Sequence, residues 1–460
     1  MTRAARATSL HEGVAALAAR AAELAAGRRS PPWLQKLRTG GVNAFERLGF
    51  PSTHDEDWRF TNLAPLARTP FALPPSDITL AERTAALELE ARLGTIGLSA
   101  SEPRLSFVNG RLLRRSPGDL DAGIFFECMK EVLATSPERI ERALIARAAE
   151  RDHSEDFFGS LSDAFLDEGV VLHVPANTSV TEPLFILHVS TLAGPSNAPS
   201  MVHTRNLFTF EENSSATVIE AYLGADAPSF TNARTEVDLA RNARLQHIKL
   251  QLEGPEAYHV GHLSVAHAAG ATSASHVFSF GGKLVRNEVA TDLAGEGART
   301  ELYGLFCANT GQHVDCHTLI DHVAPRATSV ELYKGVLDGT GRGVFDGKIV
   351  VRPSAPRTDA RQTNRNLILS DGALVDSKPQ LEIHNNDVRC SHGSTTGRLD
   401  ADAVFYLRSR GLSPEAARAL LTYAFGSELI EKVASADVRA FLEDHLRAWL
   451  PANLAAPEKR

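Results

Sequence analysis

The hydrophobic pattern of this chain changes its period twice. Up to about residue 165, apolar residues recur at the three- and four-residue spacing of helices, as from Leu10 to Ala26. Ser30-Pro31-Pro32 reads as a helix start, and Trp33, Leu34, Leu37 and Phe45 fall on one side of the helix behind it. Ser136-Pro137-Glu138 opens a further helix through Ala149, with Ser136 as its cap. Between them, Phe71 to Glu127 is mixed and follows no single period.

From about 166 to 405 the helical spacing disappears. Short strand-like runs replace it, such as Val170 to Val174, Leu184 to Val189 and Leu245 to Leu250, separated by Gly, Asn, Asp and Pro. Turn-like segments recur around Ala216, Ala243, Ala271, Ala298 and Ala327, at spacings of 27, 28, 27 and 29 residues. A near-constant period of this length predicts stacked coils, each unable to bury its apolar face alone. A β-sandwich with evenly spaced turns is the competing architecture. From about 406 the helical pattern returns. Ser413-Pro414-Glu415 marks a helix start, with Ala416, Leu420, Leu421, Ala424, Phe425 and Leu429 as its stripe, and a second helix runs from about Ala436 to Leu450. These helices either cap the solenoid or dock a partner. The predicted fold is mainly β with helical flanks. A right-handed parallel β-helix core (166–405) lies between an N-terminal, mainly helical domain (1–165) and a C-terminal helical domain (406–460).

Composition narrows the function. The 460 residues carry a net charge of −8, which argues against a general nucleic-acid binder. No apolar run is long enough for a membrane span. Met1 to Arg29 is rich in Ala and Arg, but Glu12 and Glu23 and the lack of an apolar core favour an amphipathic helix over a targeting peptide. The four cysteines, Cys128, Cys307, Cys316 and Cys390, form no CxxC pair, so a reducing, cytoplasmic setting is expected.

The chain has no P-loop, nucleophile elbow or HExxH, so it is not expected to be an enzyme or to hydrolyse nucleotides itself. Gly281-Gly282 reads as a turn. Cys307, His313, Asp315, Cys316, His317, Asp321 and His322 are metal-ligand types. In a strand, however, His313, Asp315 and His317 share one face while Val314, Cys316 and Thr318 share the other, which favours a structural ladder. Cys390-Ser391-His392-Gly393 follows His384-Asn385-Asn386-Asp387. Cys390 and His392 share a face of an extended segment. They form either a ligand or activated pair, or a buried cysteine beside a hydrogen-bonded histidine. Arg352, Arg357, Arg361 and Arg365, interleaved with Asp359 and Asn364, suit a solvated face better than an anion site.

Several segments resemble the SufB/SufD family of iron–sulfur cluster assembly. They are Glu331 to Gly339, Arg342 to Ile349, Thr358 to Asn364, Asp376 to Ile383, Asp387 to Gly393, Gln312 to Asp315 with Asp321-His322, and, near the N-terminus, Gly49-Phe50-Pro51 and Glu56 to Thr61. The resemblance covers nearly the whole chain. It implies a β-helix between helical regions, acting as a scaffold. The SufB branch carries an essential cysteine in a Gly-Asp-Gln-Cys-Gly type segment. The matching stretch here, Ser370-Asp371-Gly372-Ala373, has none, and His392 falls near the place of a SufB glutamate. Those departures point to the SufD branch. The resemblance then implies a cluster-assembly role for His392, with Cys390 beside it, and His392 as a metal ligand. It implies no tightly bound cofactor in the chain alone, a transient iron–sulfur cluster at the partner interface, and flavin in the assembled complex. The implied partners are a SufB-like scaffold and the ATPase SufC, docked on the C-terminal helices. A homodimer is the alternative state in isolation. A SufB-like scaffold, a purely structural adaptor and a β-helical carbohydrate-active enzyme are the competing functions.

Overall fold

The period-two alternation becomes a two-walled solenoid in the computed structural model, which describes residues 3–26, 30–94, 96, 102–116, 118, 120–121, 123–150, 156–192 and 199–450. The N-terminal region holds α1 (Arg3–Ala26), α2 (Pro32–Leu48), α3 (Ala64–Arg68), α4 (Leu80–Glu90), β1 (Arg104–Val108), β2 (Arg111–Ser116), β3 (Phe125–Cys128), α5 (Met129–Thr135), α6 (Glu138–Glu150) and α7 (Phe157–Ala164). The core begins with β4 (Val170–Val174), β5 (Leu184–Ser190), β6 (Ser200–Phe210), β7 (Ser215–Gly224), β8 (Ser229–Leu239), β9 (Arg244–Leu252), β10 (Ala257–His267) and β11 (Thr272–Ser279). It continues through β12 (Leu284–Leu293), β13 (Arg299–Ala308), β14 (His313–His322), β15 (Thr328–Leu337), β16 (Arg342–Val351), β17 (Asp359–Ile368), β18 (Leu374–Ile383) and β19 (Arg389–Gly397). Helices α8 (Ala401–Ser409), α9 (Pro414–Ile430) and α10 (Ala436–Trp449) follow.

From β4 onward, successive strands lie in opposite walls. Each pairs in parallel with the strand two places on, so odd strands build one wall, a 10-stranded sheet once β1 and β2 are added, and even strands the other, a 9-stranded sheet with β3. This topology selects the coil stack over the sandwich. The mixed N-terminal stretch starts both walls. There β1 joins β5 in parallel, β2 closes antiparallel on β1, and β3 pairs antiparallel with β4.

The repeat has a backbone cause. Asn213, Asn242, Gly270, Gly297, Arg326 and Arg357 all have φ between 58° and 70° and stand at the same turn of successive coils. The residue after each gives its carbonyl to the next coil: Thr272 N–H donates to Ala243, Arg299 to Ala271 and Thr328 to Ala298. One of the five alanines read from the sequence is displaced. Arg244 N–H donates to Ser214, so Ser214 rather than Ala216 holds this place in the earlier coil. The Asn242 carboxamide donates to that of Asn213 (3.0 Å), which donates to that of Asn177 (2.9 Å). At Gly270 a Cβ would lie 2.4 Å from Asn242 Oδ1, in a left-handed conformation. Gly270→Ala is therefore expected to lose about 1–2 kcal/mol, read as a lower thermal midpoint. An unchanged midpoint would mean that the turn relaxes.

Side chains alternate between the interior and the outer faces. In β14 the inward residues Val314, Cys316, Thr318, Ile320 and His322 are all buried, and Val314, Cys316 and Ile320 join the interior apolar cluster. The outside of the even wall is covered by α7, where Phe157, Phe158 and Leu161 meet Phe230, Tyr258 and Leu284. The outside of the odd wall is covered by α9 and α10. Leu429, Ile430, Leu442 and Leu446 pack with Leu305, Cys307, Val336 and Leu367. The C-terminal helices therefore flank the solenoid rather than cap its end. Ser413 caps α9 as the sequence predicts, accepting from Ala416 N–H, and Lys334 Nζ donates to the Phe425 carbonyl (2.8 Å). Helix α8 buries no residue and leaves Phe405 and Tyr406 exposed. Among the described residues no helix is long and apolar enough to cross a membrane.

Candidate functional site

The last coil, β18 and β19, breaks the burial pattern without breaking the fold. Cys390 stacks on Ala360, His392 on Gln362 and Ser394 on Asn364, in register with the inward positions of the coils below. Strands β18 and β19 end their walls, so no coil lies above them. Positions that are interior elsewhere are therefore open here: Cys390 is half-buried, and His392, Ser394 and Thr396 are exposed. A hydroxyl and amide floor closes the mouth. Asn364 Oδ1 accepts from Ser377 Oγ (2.8 Å), Asn366 Nδ2 (2.6 Å) and Ser394 Oγ (3.3 Å), and the two serine hydroxyls lie 2.7 Å apart.

The structure brings Cys390 and His392 to one face, as the alternation predicts, but no hydrogen bond joins them. Partial burial raises the Cys390 thiol above its ordinary range, with the Asp359 carboxylate acting in the same sense. A thiol raised in this way is not a pre-ionised nucleophile. Two donors also fall short of the four that close a tetrahedral metal site. Among the described residues no group of three or more His, Cys, Asp and Glu side chains is placed to hold a metal ion. The mouth presents one thiol and one imidazole at an edge where backbone groups are unpaired.

The cluster around His313 does not converge. Cys316 lies inside the solenoid, and Cys307 lies outside the odd wall under the C-terminal helices. His313, Asp315 and His317 face outward together and receive the N-terminal segment Glu56 to Thr61. The Thr61 hydroxyl donates to Asp315 Oδ2 (2.6 Å) and lies 2.9 Å from His313 Nε2. Arg286 Nη1 donates to Asp315 Oδ2 (2.8 Å) and to the Asp57 carbonyl (2.7 Å), with its guanidinium 3.8 Å from the Trp58 ring centre. Burial alone would raise the Asp315 carboxyl, but His317 and Arg286 outweigh it and hold it well below the carboxylate range. This is a charged seam that fastens the N-terminal region. The arginine run is neutralised in place: Arg352 pairs with Asp321, Arg357 with Asp387, Arg361 with Asp359 and Arg365 with Glu428. Gly281-Gly282 lies in the link between β11 and β12, Gly282 with φ 82°, and a Cβ on Gly281 would lie 2.0 Å from the Glu253 carbonyl oxygen.

Sequence reasoning missed what lies under the mouth. Glu331 and Gln362 point inward one above the other, 1% and 2% exposed, and Gln362 Nε2 donates to Glu331 Oε2 (2.9 Å). Burial pushes the Glu331 carboxyl up to about 7, against smaller opposing effects of Thr318 and Gln362. The signal was present. Both residues sit at the inward places of alternating runs, Ser329-Glu331-Tyr333 and Ala360-Gln362-Asn364.

The chain matches the family model for the SUF system FeS cluster assembly SufBD core domain over residues 191–425, and that for the SufBD protein N-terminal region over 18–186. It is 32% identical to the iron-sulfur cluster assembly protein SufD of Escherichia coli over 406 residues, covering 88% of this chain and 89% of that protein. It is 30% identical to an iron-sulfur cluster assembly SufBD family protein of Synechocystis over 421 residues, covering 89% of each. A more distant relative is SufD of Bacillus subtilis, 24% identical over 413 residues, covering 88% of this chain and 91% of that protein. The coil stack, its helical flanks and these matches over most of the chain agree: the chain belongs to the SufBD family and is SufD-like.

Proposed function

We propose that this protein is a scaffold subunit of iron–sulfur cluster assembly, and that its open last coil is the half-site it contributes. In this reading a SufB-like partner pairs with the exposed edges of β18 and β19, since open strand edges favour such addition. His392 then joins donors of the partner to hold iron or sulfur at the junction, with neutral imidazole as the ligand. Cys390 stands beside it as a sulfur donor whose thiolate forms on metal binding. ATP hydrolysis comes from a SufC-type ATPase docked beside α8 and α9, where Phe405 and Tyr406 are exposed. The cluster is cargo, not a resident group.

The observation that carries this reading is the uncovered interior of the terminal coil, which presents His392 and Cys390 on a face that every other coil buries. A purely structural adaptor would use the same edges without the histidine. His392→Ala separates the two. In the complex purified with scaffold and ATPase partners, it is expected to leave the subunit ratio unchanged and to lower the iron and sulfide recovered per complex by roughly tenfold or more. Recovery equal to wild type in an intact complex would remove the role of His392 and leave the adaptor.

A further inference from the structure

The column beneath His392 assigns a role to two buried residues. In register, Leu302 is followed by Glu331, Gln362 and His392, one in each successive coil along the odd wall. Strand neighbours in a sheet stand about 4.8 Å apart, close enough for side-chain amide and imidazole groups to meet. Gln362 is gripped on one side only. Its Nε2 donates to Glu331 Oε2, whereas its Oε1 is buried and has no hydrogen-bond partner. Across the interior, a Cβ on Gly347 would stand 2.5 Å from both Gln362 Nε2 and the Phe345 ring, so the opposite wall has no side chain where this amide and that ring meet. A buried polar atom left unpaired is costly, so the orphan acceptor one coil below the candidate ligand has a physical cause.

We propose that Glu331 and Gln362 are positioning residues for His392. Glu331 fixes the Gln362 amide with its N–H₂ pointing down the column, and this turns the carbonyl Oε1 up to accept the imidazole N–H of His392. The imidazole is thereby held in one neutral tautomer, its other nitrogen carrying a lone pair toward the open mouth. Metal-binding histidines commonly use this device, in which the partner of the second ring nitrogen sets ring orientation and donor strength. Here the partner is an amide because the site lies inside a coil stack, where a carboxylate so near the mouth would compete for the metal. Glu331 is one step further down and steers the amide without reaching the ligand.

This inference rests on the cluster-assembly reading of His392, but its first test does not. In the full chain labelled with ¹⁵N-histidine, the His392 signals are assigned by their loss in His392→Ala. The wild type is expected to show one dominant tautomer. Gln362→Met, which keeps length and burial but removes the acceptor, is expected to move His392 toward a mixture. Glu331→Gln, which lets the Gln362 amide turn over, shifts it in the same direction by less. An unchanged tautomer ratio in a folded Gln362→Met protein overturns the positioning role. In the assembled complex, Gln362→Met is then expected to lower cluster yield by roughly tenfold. If the tautomer moves while cluster yield holds in both Gln362→Met and His392→Ala, the column stands and the cluster-assembly reading falls.

Discussion

Arg286→Met is expected to destabilise the protein by roughly 3–5 kcal/mol at neutral pH and to release its N-terminal segment from the even wall. The size follows from what the guanidinium holds. It is 2% exposed, donates to Asp315, Glu288 and the Asp57 carbonyl, and lies against the Trp58 ring. Methionine fills much of the volume but leaves the Asp315 carboxylate buried with a cation removed. Asp315 and Glu288 are both held below their ordinary range in the folded protein, Arg286 acting against the opposing effect of burial in each. Depressed carboxylates contribute stability above their unfolded pKa and lose it as the pH falls through the folded value. The deficit of the variant is therefore expected to be largest at neutral pH and to narrow below about pH 4. Thermal unfolding across pH measures this, and limited trypsin cleavage near Arg59 reports the freed segment. A deficit that stays constant with pH would mean that Arg286 acts by packing alone.

Glu331→Gln is expected to do the reverse and stabilise the protein by about 2–3 kcal/mol at pH 8. Burial raises the Glu331 carboxyl from its ordinary value to about 7. At low pH both folded and unfolded chains keep the proton, and the carboxyl costs nothing extra. Between the unfolded value and about 7 the unfolded chain has released its proton while the folded chain retains it, so stability falls as the pH rises. Above that range the loss is complete. The isosteric amide does not ionise, so variant and wild type should converge in thermal midpoint near pH 4 and diverge toward pH 8. Equal midpoints at pH 8 would show that the interior solvates the carboxylate. A stability cost of this kind is what the positioning role proposed for Glu331 entails, since function is commonly set against stability.

Much of the architecture was legible because burial writes itself into alternation. The strands around Val170, Leu184 and Leu245, the cap at Ser413 and the inward turn of Cys316 all follow from periodicity and simple caps. The coil period was legible too, although the alanines that mark it stand one step away from its cause. Four of the five alanines directly follow a left-handed residue, and that residue is Asn, Gly or Arg by turns, which hides it from a search for identity. The site was half legible. Cys390 and His392 lie two residues apart, so their common face could be read directly. Glu331 and Gln362 are 31 and 30 positions from their partners in the column and meet only through the stacking register. The docking of Glu56 to Thr61 on Arg286 and Asp315 joins positions more than 220 apart, a distance that no local pattern encodes.

That docking has a consequence for how the molecule tolerates change in length. The segment reaches Arg286 on β12 and Asp315 on β14, and Glu56 goes on to Lys378 on β18 (2.8 Å). Coils rise about 4.8 Å each, so six residues gauge a height of three coil steps, about 14 Å. A solenoid by itself is indifferent to number: a coil added or removed leaves every neighbour contact intact. Here the clasp counts. An extra coil between β14 and β18 would keep the walls in register and yet put Lys378 beyond the reach of Glu56, so the distance from the N-terminal clasp to the open mouth is calibrated by the chain itself.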